Sequence, residues 1–408
     1  MPEVFIIDAC RTPRGIGKLG KGALADIHPH HVSATVLSAL ATRNNLITAD
    51  IDDVMWGTTL HQSMHARLAA LDAGYDPRVS GVTMDRVCGS SITSVSLAAA
   101  TIIAGHQDLV VAGGIDMMSA MGKVTGSGGP PLLDGGNLRL RARYPQSHQG
   151  VCADAIATIE GISREELDQF ALESQNRAAQ AISQGYFDRS IVPVYHANGT
   201  LALDHDEYPR PETTAEGLAA LKPAFTAIAD YPLDADGLTF RSLILRRYPD
   251  LDIEFVHHAG NSSGVVDGSA AVLLASAEYA RKHGLKQRAR IIAASTIGDD
   301  PTLMLNAPVP AARKVLAKAG LTIDDIDLFE INEAFAVVVE KFIRDLSLDR
   351  DKVNVNGGSI ALGHPIGATG AVMIGTVLDE LERRDLKRGL VTMCAAGGMA
   401  PAIIIERI

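Results

Sequence analysis

The chain has few cysteines and no long hydrophobic run, and each shortage excludes a class of protein. Its four cysteines, Cys10, Cys88, Cys152 and Cys394, lie far apart and form no CxxC pair. A disulfide framework or a zinc site is therefore not expected, and four free thiols in a reducing compartment are. No apolar run reaches the roughly 18 residues that a membrane-spanning helix needs.

Positive charge is also scarce. The 408 residues include 37 Lys and Arg against 48 Asp and Glu, a formal net charge of −11. Nucleic acid is therefore not expected as a partner, although a local basic patch for a phosphate-bearing ligand is still possible. The first residues pass directly into an apolar stretch at 4–7 with no signal sequence, so a cytoplasmic protein is expected.

Aromatic residues make up only 4% of the chain, whereas glycine alone contributes 38 residues. A composition of small residues suits helices packed closely on parallel strands, as in an α/β fold. The stretch at 83–87, with its β-branched Thr83 and Val87, and the apolar stretch at 109–113 predict strands. The small apolar residues at 92–104 between them predict a buried helix.

The second half of the chain repeats this order. The sequence at 48–54 resembles that at 322–328, and 109–114 resembles 390–394, with an offset of roughly 275 residues. Such self-similarity predicts two stacked α/β halves with the active site between them. We expect residues 1–120 and 249–277 to form the first half and 278–408 the second.

Residues 121–248 differ in character and predict an inserted loop subdomain. A glycine- and proline-rich loop opens it at 126–131. Ser163, followed three residues later by Glu166, is a capping box that predicts a helix over 163–184.

The most constrained stretch is 356–370, with five glycines, one proline and one histidine. A phosphate-binding turn is one interpretation, but no GxxxxGK[ST] or GxGxxG motif is present. The alternative is a turn that presents His364 where a strand, predicted at 353–355, passes into a helix.

Two thiols could act with that imidazole. Cys88 lies between a strand end and a helix start, where the helix dipole favours a thiolate, although a packed core cysteine is equally compatible with this position. Cys394 occupies the equivalent place in the other half. A histidine-rich stretch at 26–31 has the appearance of a metal site, but Pro29 favours a helix start.

Five motifs, at 87–90, 259–264, 332–335, 357–370 and 394–398, together resemble the thiolase family over essentially the whole chain. The resemblance implies a thiolase-like five-layer α/β/α/β/α core made from two repeated halves. It implies an acyltransferase that uses coenzyme A and acyl-CoA as substrates, with no permanently bound cofactor and no metal. It also implies a homodimer or homotetramer.

The family's catalytic roles carry over to five residues. The resemblance implies that Cys88 takes the acyl group and His364 draws off its proton. Asn332, through a water, and His364 would hold the thioester oxygen of the acyl acceptor. Cys394 would be the acid/base, and the N–H groups of Cys88 and Ala396 would form a second oxyanion hole.

The coenzyme A contacts implied by the family are spread over the second and third quarters of the chain. They are His148, Arg210, Leu221, Ala224, Phe225, Ser263 and Met304. Several residues depart from the usual pattern: Ser91, Gln149, Leu305, Ala307 and Ala396. With a long segment at 226–256 before the 261–263 turn, these departures lead us to expect an acyl pocket for substrates larger than acetoacetyl-CoA, in a degradative pathway such as fatty-acid β-oxidation.

Three alternatives stay open at this point. A ketoacyl synthase shares the architecture, but would need a histidine at position 394. A non-catalytic acyl-CoA or lipid-binding homologue would be expected to lack one of the four catalytic side chains. A biosynthetic acetoacetyl-CoA thiolase would run the reaction as a condensation, and the residues do not reveal the direction.

Overall fold

The computed structural model describes residues 3–61, 63–121 and 132–408, so the loop predicted at 126–131 lies outside the described residues. The strands are β1 (Val4–Arg11), β2 (Gly15–Ile16), β3 (Asp53–Gly57), β4 (Ser80–Met84), β5 (Leu109–Met117), β6 (Val194–Tyr195), β7 (Leu201–Leu203), β8 (Val266–Ser276), β9 (Ala289–Gly298), β10 (Leu328–Ile331), β11 (Arg388–Thr392) and β12 (Met399–Arg407).

Helices connect and cover these strands. They are α1 (Pro29–Arg43), α2 (His65–Asp72), α3 (Ser90–Ile103), α4 (Leu138–Arg143), α5 (Gln149–Glu160), α6 (Arg164–Ser183), α7 (Ala215–Ala219), α8 (Thr226–Ala229), α9 (Phe240–Leu245), α10 (Ala277–Lys282), α11 (Pro308–Ala319), α12 (Ala336–Leu346), α13 (Ser359–Leu362) and α14 (Thr369–Arg383). None of the described helices is both long and apolar enough to cross a membrane.

The strand order shows the predicted repeat directly. The first half runs β1-β8-β5-β3-β4 and the second runs β9-β12-β11-β10, with the same sequence of antiparallel and parallel neighbours. The two halves meet at an antiparallel contact between β1 and β9. The strand predicted at 353–355 is present only as isolated bridges, because Val353 pairs with β10 at a single position.

Two helices form the middle layer. The apolar faces of α3 and α14 pack in one core cluster with the inward-facing residues of both halves. A Cβ atom on Gly370 would lie 2.6 Å from Ile92, so glycine permits this close crossing. Ser91, where the family usually has glycine, accepts a hydrogen bond from Ala371 N–H at 3.0 Å and links the two helices.

The outer layers complete the five-layer arrangement. Helices α1 and α2 pack on the outer face of the first half, and α11 and α12 on that of the second. The thiolase-like five-layer fold expected from the sequence is therefore confirmed. Pro29 lies in the first turn of α1, behind the His28 cap, as its position predicted. In the described ranges, no three His, Cys, Asp or Glu side chains are grouped so as to hold a metal ion.

The inserted region is anchored to this core. Helix α6 begins with the predicted capping box at Ser163. In the 226–256 segment, Phe240, Leu243 and Ile244 are buried in the outer cluster of the second half. The Tyr248 hydroxyl donates to Asp300 at 2.7 Å. The segment is thus an integral part of the packed protein.

Candidate active site

Cys88 lies on a tight turn between β4 and α3. Strand β4 ends at Met84, earlier than the predicted 83–87, because the turn occupies the following residues. Val87 has a φ of 50°, which is unfavourable for a β-branched residue. Two hydrogen bonds hold it: Val87 N–H donates to Asp85 at 2.7 Å, and the Ser90 hydroxyl donates to Val87 C=O at 2.6 Å.

His364 follows a glycine that no other residue could replace without rearrangement. Gly363 has a φ of 92°, and a Cβ atom there would lie 2.3 Å from Val266. The Gly363 carbonyl accepts a hydrogen bond from the Arg14 guanidinium at 3.2 Å, and His364 N–H donates to Gly264 C=O at 2.8 Å. The imidazole is therefore placed by contacts from two distant parts of the chain, Arg14 and the 264–266 segment.

The hydrogen bonds of Thr369 determine which ring nitrogen of His364 carries the proton. The Thr369 hydroxyl lies 2.6 Å from His364 Nδ1 and donates its own hydrogen to Pro365 C=O at 2.9 Å. Because a hydroxyl has one hydrogen, Thr369 accepts from Nδ1–H. His364 Nε2 is then left with a lone pair that can accept a proton.

Asn332 faces that nitrogen. Its side-chain nitrogen lies 3.4 Å from His364 Nε2, and its oxygen accepts a hydrogen bond from the Ser359 hydroxyl at 2.6 Å. Because the oxygen is held by a donor, the amide directs its N–H group towards the imidazole. The Glu333 carboxylate supports this region, since it accepts hydrogen bonds from Ser174 and from Ile360 N–H.

Burial controls the protonation of the His364 and Cys88 side chains. Burial, with Arg14 adding to it, lowers the pKa of His364 to about 4, so the imidazole is neutral at neutral pH. Burial, followed by the charge of Asp116, raises the pKa of Cys88 to about 12. Of the two alternatives left open for Cys88, the protonated thiol of a packed cysteine is therefore favoured over the thiolate, because loss of hydration exceeds the effect of the helix dipole.

One cavity of about 170 Å³ brings most of the predicted residues together. Its lining includes Cys88, His364, Cys394, Ala396, His148, Phe225 and Ser263. The backbone N–H groups of Cys88 and Ala396 lower the pKa of the Cys88 thiol, against the effect of burial, so both act on its sulfur. Gln149 and Leu305, two of the departures from the family pattern, also line it.

The remaining coenzyme A predictions lie elsewhere. Arg210 and Leu221 line a separate groove of about 240 Å³ with Tyr208, whose ring centroid lies 5.5 Å from the Arg210 guanidinium. Ala224 is exposed and lines neither space. Met304 is fully buried and absent from the cavity wall. Its left-handed backbone, with a φ of 47°, is followed by Leu305, which occupies the wall instead.

Sequence reasoning missed the residues that orient the catalytic side chains. Thr369, Ser359 and Arg14 each bond to a catalytic residue or to the turn that carries it. Thr369 could have been found by asking which nearby hydroxyl accepts from His364 Nδ1–H. Ser359 and Arg14 are far from their partners in sequence, so only the fold identifies them.

Comparison with known proteins gives the same family for both halves. Residues 4–228 match the thiolase N-terminal domain and residues 285–407 the thiolase C-terminal domain. Over 430 residues the chain is 39% identical to a β-ketoadipyl-CoA thiolase of Acinetobacter baylyi, covering 100% of both proteins. It is 40% identical over 419 residues to a 3-ketoacyl-CoA thiolase of Cronobacter sakazakii, again with 100% coverage of both.

Solved structures agree. An acetyl-CoA acetyltransferase of Bacillus anthracis superimposes with a TM-score of 0.82 at 35% identity, covering 100% of this chain and 99% of that one. Human mitochondrial 3-ketoacyl-CoA thiolase gives 0.83 at 32% identity with the same coverage. The resemblance read from the five motifs is confirmed, and the chain belongs to the thiolase family.

Proposed function

We propose that this acyltransferase cleaves 3-ketoacyl-CoA with coenzyme A, giving acetyl-CoA and a shortened acyl-CoA, and that the reverse condensation uses the same groups. The observation that carries the proposal is the convergence of two thiols, Cys88 and Cys394, on a neutral imidazole whose Nε2 is free to accept a proton. A nucleophile, its base and a second acid/base are the parts this chemistry needs.

In the first half-reaction, the Cys88 sulfur attacks the 3-keto carbon while its proton moves to His364 Nε2. Because the pKa of Cys88 is raised, proton transfer accompanies attack and no thiolate is formed in advance. The N–H groups of Cys88 and Ala396 bind the resulting oxyanion. The bond between C2 and C3 then breaks, and the acyl group remains on Cys88.

The leaving fragment is the enolate of acetyl-CoA. Its oxygen is held by the protonated His364 and, through a water, by Asn332, and the Cys394 thiol protonates its carbon. In the second half-reaction, the Cys394 thiolate takes the proton of an incoming coenzyme A thiol, whose sulfur attacks the acyl-Cys88 carbonyl. Cys88 leaves and recovers its proton from His364, so every group returns to its starting state.

We assign the binding of the coenzyme A arm to the cavity and to the separate groove. His148, Phe225 and Ser263 border the cavity and would contact the pantetheine end. Arg210 and Leu221 border the outer groove, where an Arg guanidinium beside an aromatic ring suits a phosphate or adenine.

Relatives named for different acyl groups align over the full chain, so the choice of acyl group depends on the shape of the cavity. The 226–256 segment does not border the cavity as the sequence led us to expect. It contacts a residue of the cavity wall instead, because the Phe240 ring packs edge-on against His148 with centroids 5.6 Å apart. The cavity opens between Gln149 and Val265, both exposed, and we propose that acyl chains longer than acetoacetyl leave it there.

A homodimer or homotetramer is part of the proposal. Strand β4 lies at one edge of the sheet that the described strands form, and Val82 on it is exposed, as are Leu97 and Ile103 on α3. An apolar sheet edge of this kind favours pairing with a second copy. Light scattering gives the mass in solution, and a monomer would contradict this part.

The test is a panel of 3-ketoacyl-CoAs from four carbons to bulky cyclic acyl groups, assayed with free coenzyme A by mass spectrometry of the products. We expect acetyl-CoA and a shortened acyl-CoA, and a higher kcat/KM for members larger than acetoacetyl-CoA. Cys88→Ala should abolish both products. Absence of acetyl-CoA with every member would overturn the function, and a maximum at acetoacetyl-CoA would overturn the size preference.

A further inference from the structure

A buried glutamate that the proposed reaction does not use lies directly behind the site. Glu330 is on β10, where its neighbour Phe329 faces the outer cluster, so by alternation Glu330 faces the middle layer beside α14. Only 5% of it is exposed. Within the described part of the chain, no group hydrogen-bonds its carboxyl.

This carboxyl borders a small cavity of about 20 Å³. The polar side chains around that cavity are Arg14, Glu330, Asn332, Ser359, Thr369 and Thr376. A space of roughly 10–15 Å³ is enough for one water molecule when two or more polar partners surround it. The cavity is therefore large enough and polar enough for a single water.

The hydroxyls around the cavity have a defined direction. Ser359 donates to Asn332 Oδ1 and Thr369 donates to Pro365 C=O, so each hydroxyl can face the cavity only as an acceptor. A water there would donate one hydrogen to one of them and would direct its other hydrogen or a lone pair towards Glu330. A carboxylic acid at position 330 can donate to this water, whereas a carboxylate can only accept from it.

The surroundings of Glu330 favour its protonated form. Burial raises its pKa well above the usual range, and the nearby charges of Glu333 and Glu380 add to this effect. Arg14 and Arg177 act in the opposite direction. The Arg14 guanidinium donates to Gly363 C=O and lies 3.6 Å from the Asp206 carboxylate, and Arg177 donates to Val353 C=O and pairs with Glu173. A negative charge at position 330 would also repel the enolate oxygen that forms beside Asn332.

We propose that Glu330 is a positioning residue, a neutral acid that holds one water in this cavity and donates through it to the Ser359–Asn332 pair. The resulting series of donors runs from Glu330 to the water, to the Ser359 hydroxyl, to Asn332 Oδ1, and ends at the Asn332 N–H group. Hydrogen bonds in series strengthen one another. This inference rests on the proposed enolate chemistry and assigns a further residue to it.

The kinetic test separates enolate formation from acyl transfer. Glu330→Leu should lower the enzyme-catalysed exchange of deuterium into the methyl group of acetyl-CoA by roughly tenfold or more, the effect of one lost hydrogen bond. Acetylation of Cys88 and the KM for acetyl-CoA should change little. Glu330→Gln, whose amide still donates, should restore most of the exchange rate.

A matched control is Glu340→Leu, which removes another buried carboxyl from the same half of the protein, on α12. It should lower stability without lowering exchange in the folded fraction. Equal loss of exchange in Glu330→Gln and Glu330→Leu, or in the Glu340 variant, would overturn the role of Glu330. Failure of the wild type to acetylate Cys88 would instead overturn the proposed function.

A crystal structure of the wild type tests the water without any variant. We expect one ordered water within about 3.2 Å of the Glu330 carboxyl and of the Ser359 or Thr369 hydroxyl. An empty cavity, or a direct bond from Glu330 to a protein group, would overturn the proposal even if Glu330→Leu fails to fold.

Discussion

The role of Thr369 can be tested by a nearly isosteric change. Thr369→Val removes the hydroxyl that accepts from His364 Nδ1–H at 2.6 Å and keeps the buried volume. Pro365 C=O, the other partner of this hydroxyl, remains hydrogen-bonded in the variant. It still accepts from the N–H groups of Ala368 and Thr369, at 2.9 and 3.0 Å. The effect should therefore be concentrated on the imidazole.

The magnitude follows from the charge that the imidazole acquires. When His364 takes the Cys88 proton, its bond to Thr369 becomes a hydrogen bond from a cation, and such buried bonds contribute about 1.5–3 kcal/mol. Loss of that energy in the transition state lowers the rate by roughly 10- to 150-fold. The variant also lets Nδ1 lose its proton and Nε2 keep one, which blocks the base.

The assay is single-turnover acylation of Cys88 by acetyl-CoA, followed by mass spectrometry. Thr369→Ser is the matched control, because it retains the hydroxyl and loses only a methyl group, at a cost in stability of about 1 kcal/mol. We expect Thr369→Val to acylate slowly and Thr369→Ser to remain close to the wild type. Equal rates for Thr369→Val and wild type would refute the tautomer assignment, and equal impairment of both variants would show that packing alone matters.

Three further predictions concern the thiols and the base. Cys394→Ala should still accept an acyl group on Cys88 but lose turnover by several orders of magnitude, and normal turnover would show that Cys394 is not the acid/base. Iodoacetamide should label Cys88 before Cys10 and Cys152, because these two are buried away from the cavity. The labelling rate of Cys88 should rise about tenfold per pH unit between pH 7 and 9, because its pKa is about 12. A rate that reaches a plateau below pH 8 would show a preformed thiolate. Because the pKa of His364 is lowered to about 4, the base is neutral above that value, so acylation should fall as pH drops through about 4; loss centred near the ordinary value of about 6.5 would contradict the effect of burial.

Several features of this protein follow from local sequence alone. The two-fold repeat, the capping box at Ser163 and the five thiolase motifs are each encoded within a few neighbouring residues, where turn chemistry and hydrophobic periodicity act. The choice of Cys88, His364 and Cys394 as candidates needed no tertiary information, because each lies in a family motif that can be read from neighbouring residues.

Other features exist only once distant segments pack together. The neutral thiol of Cys88 results from the burial of α3 against α14, which no local pattern contains. The proton position on His364 depends on Thr369 and Pro365 in the folded turn. Leu305 lines the cavity, whereas Met304, whose backbone is left-handed, is buried away from it. The sequence therefore determined which groups carry the chemistry, while packing decided their protonation and orientation, since both depend on burial and on partners remote along the chain.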